Sequence, residues 1–263
     1  MEVHHHPHVP THAKPWKEYL LEGLMIFVAV TLGYGAENVR EHYVETKKAL
    51  ISAKNLYVDV INDSIGYART RTNRSKQDSC FEIINAHYNN NELDKEIPAV
   101  YAAHAHITRR MLYQMNTLAL DEVKSSGTLK FLESDELKAA IQRYASFGSG
   151  LKLREQREFS YIDRMLDPIS TKNFEFNFSR AASDNFKIKD NKIVVSIPIP
   201  INLKIMKKDQ LDWDNYIAIL GMLQTIRLST DIDYIEPTQK ECHKLLTLLR
   251  NYLIKHDALE NTH

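Results

Sequence analysis

Glycine and cysteine are both scarce, with eight and two in 263 residues. Few glycines means few positions free to adopt left-handed backbone, which argues against Gly-rich phosphate loops and sheet-rich folds built on many tight turns. Net charge is missing too, because 34 basic and 34 acidic side chains cancel. No global field draws the chain toward polyanions, so no nucleic-acid partner is expected. GxGxxG, a Walker loop, GxSxG and HExxH are all absent, leaving no motif for nucleotide, serine-hydrolase or zinc-protease chemistry. His104 and His106 are two apart and would face away from each other on a helix. The long helical segments hold no Glu-x-x-His pair, which removes a di-iron bundle. No catalytic residue and no bound cofactor is assigned. Cys80 and Cys242 leave two readings open. A disulfide would close a loop of about 160 residues and stabilise by roughly 5 kcal/mol; otherwise they are two buried free thiols.

Helix formers are plentiful, and the expected fold is mainly α. From Tyr19 to Ala36 the chain reads YLLEGLMIFVAVTLGYGA, interrupted by one charge, Glu22. Such a stretch rises about 27 Å as a helix, enough for a thin hydrocarbon core. Trp16, Lys17 and Tyr19 at one end suit a headgroup layer, and Glu37, Asn38, Arg40 and Glu41 close the other. Two rivals are a signal peptide cleaved near Gly33-Tyr34-Gly35 and a soluble core helix. The anchor is preferred because helix-compatible sequence continues through Glu37 toward Asp63 as a stalk. The expected layout is a flexible His/Pro-rich tail at 1–15, a transmembrane helix at 16–38 and an antiparallel helical bundle at 39–263.

Glu22 shares a helical face with Ile26, Ala29, Gly33 and Ala36. Ala29 and Gly33 form a small-xxx-small pair that admits a second helix. The face is a candidate contact for self-association or another membrane protein, or less readily an ion relay. The plainer alternative is a carboxylate near the helix end that reaches water. In the tail, His4, His5, His6, His8 and His12 would bind Zn, Ni or Cu weakly. Interleaved prolines prevent a fixed ligand array, so incidental affinity is the favoured reading.

Past the span, 37 to about 88 lacks proline and reads as one or two long helices, with a basic run at Arg69, Arg71, Arg74 and Lys76 that is either a solvated face, the favoured reading, or a contact for an anionic partner. A second helix is expected from Ala99 to about Ser125, ending in Ser126-Gly127. Ser134 is a candidate N-cap for a third, broken at Phe147-Gly148-Ser149-Gly150 and resuming from Leu151 to Leu166. Arg109 and Arg110, with Tyr113, are read either as an anion site or as structural salt-bridge partners. Residues 167–208 are expected to form an irregular insertion, with a hairpin turning at Asp190-Asn191 and an extended Ser196-Ile-Pro-Ile-Pro-Ile201. Helices resume at Trp213–Ser229 and, after Pro237, at Thr238–His256.

Two blocks carry a resemblance. Glu22, Ala29, Gly33, Asn38 and Glu41 form one, and Lys124, Ser125, Ser126, Gly127 and Leu129, followed by Asp135, Glu136 and Leu137, form the other. Together they resemble an uncharacterised group of single-span helical membrane proteins common in Bacteroidota. That group brings no established activity. It implies an inner-membrane, single-pass protein with its large domain in the periplasm, whereas the flanking charges alone, Lys14 and Lys17 before the span and Arg40, Lys47 and Lys48 after it, mildly favour a cytoplasmic domain. This chain differs in its tail, which is His/Pro-rich where the group's is basic. The expectation is a non-enzymatic, lipid-anchored interaction or scaffold module, oligomeric by virtue of the small-residue face. The alternatives are a metal-handling accessory protein working through the tail and a membrane-tethered enzyme of unrecognised type.

Overall fold

Nothing obliges the backbone to leave the helix between Trp16 and Asn89, where proline is absent. In the computed structural model, which describes residues 15–113, 115–132, 134–190, 192–200, 202 and 212–259, helix α1 accordingly runs unbroken over Trp16–Asn89, about 110 Å. Its two parts have different surroundings. Every residue from Trp16 to Val44 is exposed. From Ala49 onward a stripe is buried at steps of three and four: Ala53, Leu56, Val60, Asp63 and Tyr67, then Arg74, Gln77, Phe81 and Ile84.

The other elements pack along this second part. They are α2 (Ile97–Ile107), α3 (Leu118–Ser125), α4 (Asp135–Tyr161), α5 (Asp167–Asn173), α6 (Phe176–Asp184), β1 (Phe186–Lys189), β2 (Lys192–Val195), α7 (Trp213–Thr230) and α8 (Glu236–Lys255). Side-chain contacts give their directions. Tyr144 meets Asp63 and Glu158 meets Arg74, so α4 runs parallel to α1. Gln224 meets Glu82, Arg71 meets Glu236 and Cys242 meets the Val60 carbonyl, so α7 and α8 run against it. The α2–α3 stretch also descends: Gln77 meets His106, Asp63 meets Asn116, and Ser52 meets Glu122. The result is an up-down-up-down antiparallel bundle whose second member is broken. Its core forms two apolar clusters, one around Leu56, Tyr144 and Leu249, the other around Tyr101, Leu166 and Leu220.

Several expectations need correcting. The helix expected over 99–125 is interrupted at 108–117. There the backbone finds better partners than its own carbonyls: Tyr113 N–H donates to Glu155 (3.1 Å), Asn116 N–H to Asp63 (2.9 Å) and Ala119 N–H to Asp59 (3.3 Å). The break expected at 147–150 is absent, and α4 passes through it. Those glycines serve packing, since a Cβ on Gly150 would lie 2.5 Å from the Tyr234 ring. Residues 167–184, expected to be irregular, are α5 and α6, the latter capped by Glu175, which accepts from Asn177 N–H (2.9 Å) and Phe178 N–H (2.6 Å). The break expected before Thr238 is a widened π-helical turn, Asp231–Ile235, leading into α8. A second such turn, Ile162–Leu166, leads into α5. Each immediately precedes a proline-bearing first turn, Pro168 or Pro237, where widening relieves the ring's clash with the preceding turn.

Other expectations hold. Ser134 caps α4 by accepting from Leu137 N–H at 3.2 Å. Gly127 takes φ 72° after α3. The hairpin pairs Phe186 with Val195 and Lys189 with Lys192, with Asp190 at φ 49° entering the turn; Asn191 lies outside the described residues. Residues 196–200 are neither helix nor strand. Cys80 and Cys242 are buried free thiols, one in each cluster.

Two glycine substitutions have opposite expected signs. Gly150→Ala drives a methyl into Tyr234 and lowers stability by about 1–3 kcal/mol. Gly66→Ala, in a helix interior where a Cβ meets nothing within 4 Å, raises it by up to about 1 kcal/mol. Denaturant melts of the two variants check both.

Candidate functional site

The two apolar clusters meet at a charged waist. Arg74 of α1, Glu158 of α4 and Arg227 of α7 retain 1%, 1% and 3% of their exposure. Arg74 forks onto Glu158, with Nη1 2.8 Å from Oε1 and Nη2 on Oε2. It also donates through Nε (2.9 Å) and Nη2 (2.7 Å) to the Tyr113 hydroxyl. Arg227 donates Nε to Glu158 Oε1 (3.0 Å) and Nη2 to the Ile107 carbonyl (2.7 Å). Gln77 holds the His106 and Arg109 carbonyls at 3.0 and 2.9 Å. One carboxylate therefore ties together α1, α4, α7 and the segment after α2.

Burial opposes the charge on Glu158, but the two guanidiniums outweigh it and hold the carboxyl below the usual range. Burial likewise opposes the charge on Arg74, and its bonds to Glu158 reverse that and raise it. Asp78 and Asp231 lie within electrostatic reach, and burial pushes both up, Asp231 to about 6. Asp231 Oδ1 is buried without a hydrogen-bond partner among the described residues.

The basic run is corrected here. Arg69 is exposed and Arg71 pairs at the surface with Glu236 (2.9 Å), but Arg74 is inside. Glu158 and Arg227 drew no attention in the sequence. The signal was present, because both occupy core positions of helical stripes: Leu151–Glu158–Ile162–Leu166 and Leu220–Leu223–Arg227–Thr230.

A second polar group lies above the waist. His104 stacks on Phe174 at 3.8 Å between ring centroids, with Nδ1 2.8 Å from the Tyr216 hydroxyl and Nε2 2.8 Å from Ser170 Oγ. A serine beside a histidine invites a hydrolase reading, and counting protons refuses it. The Tyr216 hydroxyl is fully buried with Nδ1 as its partner, so it donates there. Nε2 therefore carries the imidazole proton and donates to Ser170, whose own hydroxyl donates to the Leu166 carbonyl at 2.9 Å. Ser170 faces an N–H rather than a base. Burial pushes His104 down to about 3, which keeps it neutral. The group is a polar strut joining α2, α5 and α7. The pocket beside it, about 620 Å³, contains Arg109 and Arg110. Arg109 pairs with Asp184 (3.1 Å) and Arg110 with Asp163 and Asp167, while Tyr113 belongs to the waist. The salt-bridge reading of these arginines is the one observed.

The candidate interface residues Glu22, Ile26, Ala29, Gly33 and Ala36 all lie on the exposed part of α1, clear of the bundle. A Cβ on Gly33 would meet nothing within 4 Å. An 18-residue window of this helix has mean hydropathy 1.6 with none of it buried, making it long and apolar enough to cross a membrane. The histidines at 4, 5, 6, 8 and 12 lie outside the described residues. Among the described residues, no group of three or more His, Cys, Asp or Glu is placed to hold a metal ion.

Two experiments probe the waist. Glu158→Gln leaves two buried guanidiniums short of a counter-charge and lowers stability by about 3–5 kcal/mol, read from denaturant midpoints. Asp231 behaves oppositely. Its carboxyl ionises near 3.9 when unfolded and near 6 when folded, so the native state binds its proton first and loses stability as pH rises between those values. Asp231→Asn should raise the melting temperature at pH 8 by about 2–4 °C, and the gain over wild type should fade as pH drops below 6.

Comparison with known proteins returns no match to any family model, curated protein or solved structure.

Proposed function

We propose that this chain is a non-enzymatic, membrane-anchored helical interaction module whose N-terminal segment lies in a lipid bilayer and associates there with copies of itself or with another membrane protein. The observation that carries this reading is the uncovered apolar stretch of α1. Leu20, Leu21, Leu24, Met25, Ile26, Phe27, Val28, Val30 and Leu32 all stand clear of the bundle. Burying such side chains is worth about 1.5–3 kcal/mol each, so leaving all nine in water would forgo on the order of 10–30 kcal/mol. That exceeds the whole stability of an ordinary domain. Lipid covers this surface at no such penalty. Twelve residues, Glu37–Lys48, then separate the apolar stretch from the first buried position, Ala49.

The face bearing Glu22, Ala29 and Gly33 is the proposed contact between helices, because small residues there let backbones approach. The proposed location is the inner (cytoplasmic) membrane with the bundle in the periplasm, which rests on the likeness to the Bacteroidota group.

The test uses the full-length chain in native membranes. Carbonate washing should leave it in the pellet; release into the supernatant would sink the anchor. Gly33→Ile should lower crosslinked dimer or heteromer yield without changing pellet retention. Unchanged crosslinking would remove the contact face while leaving the anchor in place.

A further inference from the structure

We propose that the cleft between α1, α3 and α4 binds a small soluble polyanion, a molecule carrying two or more phosphate or carboxylate groups. The cleft measures about 990 Å³, within the range that holds small-molecule ligands. Three cations from three separate elements line it: Arg69 of α1, Lys124 of α3 and Lys152 of α4. None forms an ion pair with another described residue. An exposed lysine without a partner is ordinary. Three such cations converging on one cavity are not, and the contrast with the pocket beside His104 is direct, since Arg109 and Arg110 are neutralised there.

Carboxylates also line the cleft, but two are already committed. Asp63 accepts from Asn116 N–H (2.9 Å) and the Tyr144 hydroxyl (2.7 Å), and Glu155 accepts from Tyr113 N–H (3.1 Å). These bonds hold the interrupted segment after α2 in place, so neither carboxylate can swing toward the cations without releasing it. Asp121 stands in the first turn of α3, where the helix dipole favours it. Glu155 is held by Tyr113 N–H yet lies within electrostatic reach of Lys152, so a ligand would share that cation with the fold, while Arg69 and Lys124 carry the uncompensated charge of the cleft. Gly66 sits on the α1 wall and leaves the space beside it open.

Phosphate chemistry could come from a lipid headgroup or from a free solute, and the position of the cleft decides between them. Asn62 and Arg69 follow the apolar stretch by enough helix to stand about 40–50 Å beyond it. Headgroups extend less than about 10 Å past the hydrocarbon. A soluble ligand is therefore the occupant. The choice of a solute over a headgroup rests on the membrane reading, whereas the cleft itself lies wholly within the bundle.

The experiment titrates full-length chain in neutral detergent micelles with tripolyphosphate and, separately, citrate, by calorimetry at low salt and pH 8. Saturable one-to-one binding that weakens with added salt is expected for at least one probe. Arg69→Gln, Lys124→Gln and Lys152→Gln should each weaken it about tenfold, and the triple variant should abolish it. Lys54→Gln with Lys76→Gln, exposed cations outside the cleft, should leave it unchanged. All these positions are exposed, and circular dichroism melts confirm that the variants fold. No saturable heat from either probe, binding that survives the triple variant, or equal loss in the Lys54/Lys76 control overturns the proposal. Capture of poly-glutamate without either small anion would overturn it too, in favour of a protein partner. Because no bilayer is used, these outcomes stand apart from the carbonate result.

Discussion

Glu158, gripped by two guanidiniums in a dry interior, is the constraint around which the bundle is organised. Isolated in that position, the carboxylate or either arginine would be strongly unfavourable, so α1, α4 and α7 have one register in which all three are satisfied. A one-turn slip of any helix would separate the charges by about 5 Å. Apolar stripes alone tolerate such slips far better, since leucine against leucine carries little directional information. Its position between two hydrophobic clusters lets one contact align both. The surrounding chain is drawn into the same bonding: Tyr113, Ile107 and the carbonyls held by Gln77 all come from the region where the second helix ends.

How far the sequence could be read follows from the range of the interactions involved. Long amphipathic stripes, the Ser134 cap, the left-handed Gly127 and the hairpin entering at Asp190 are local, and each was legible. What escaped depends on partners distant in sequence. Nothing within a few residues of Tyr113 or Asn116 announces that Glu155 and Asp63 will take their N–H groups. The Phe-Gly-Ser-Gly run looks like a breaker until Tyr234 is seen against Gly150, where the missing side chain makes room for a neighbour rather than a bend. Arg74 looked like one more surface cation because its counter-charge lies 84 residues away.

The prolines at 168 and 237 show a related lesson. Pro237 signalled an end to helix, and at both prolines the chain instead widens one turn and resumes helix. The widened turns follow closely on Glu158 and Arg227, so the backbone departs from regular geometry next to the residues with the least positional freedom.

The absence of any hinge in α1 has a mechanical consequence. With residues 19–36 seated in lipid as proposed, the same rigid rod carries Arg74 and ends at Asn89, about 80 Å past the bilayer boundary. A change of 10° in the tilt of the buried portion, well within the range membrane helices adopt, sweeps the distal end through about 14 Å. Rotation of the anchor about its own axis turns the whole bundle by the same angle. Bilayer thickness and neighbouring helices thus act on the far end as on the tip of a lever, with no flexible joint to absorb the stroke.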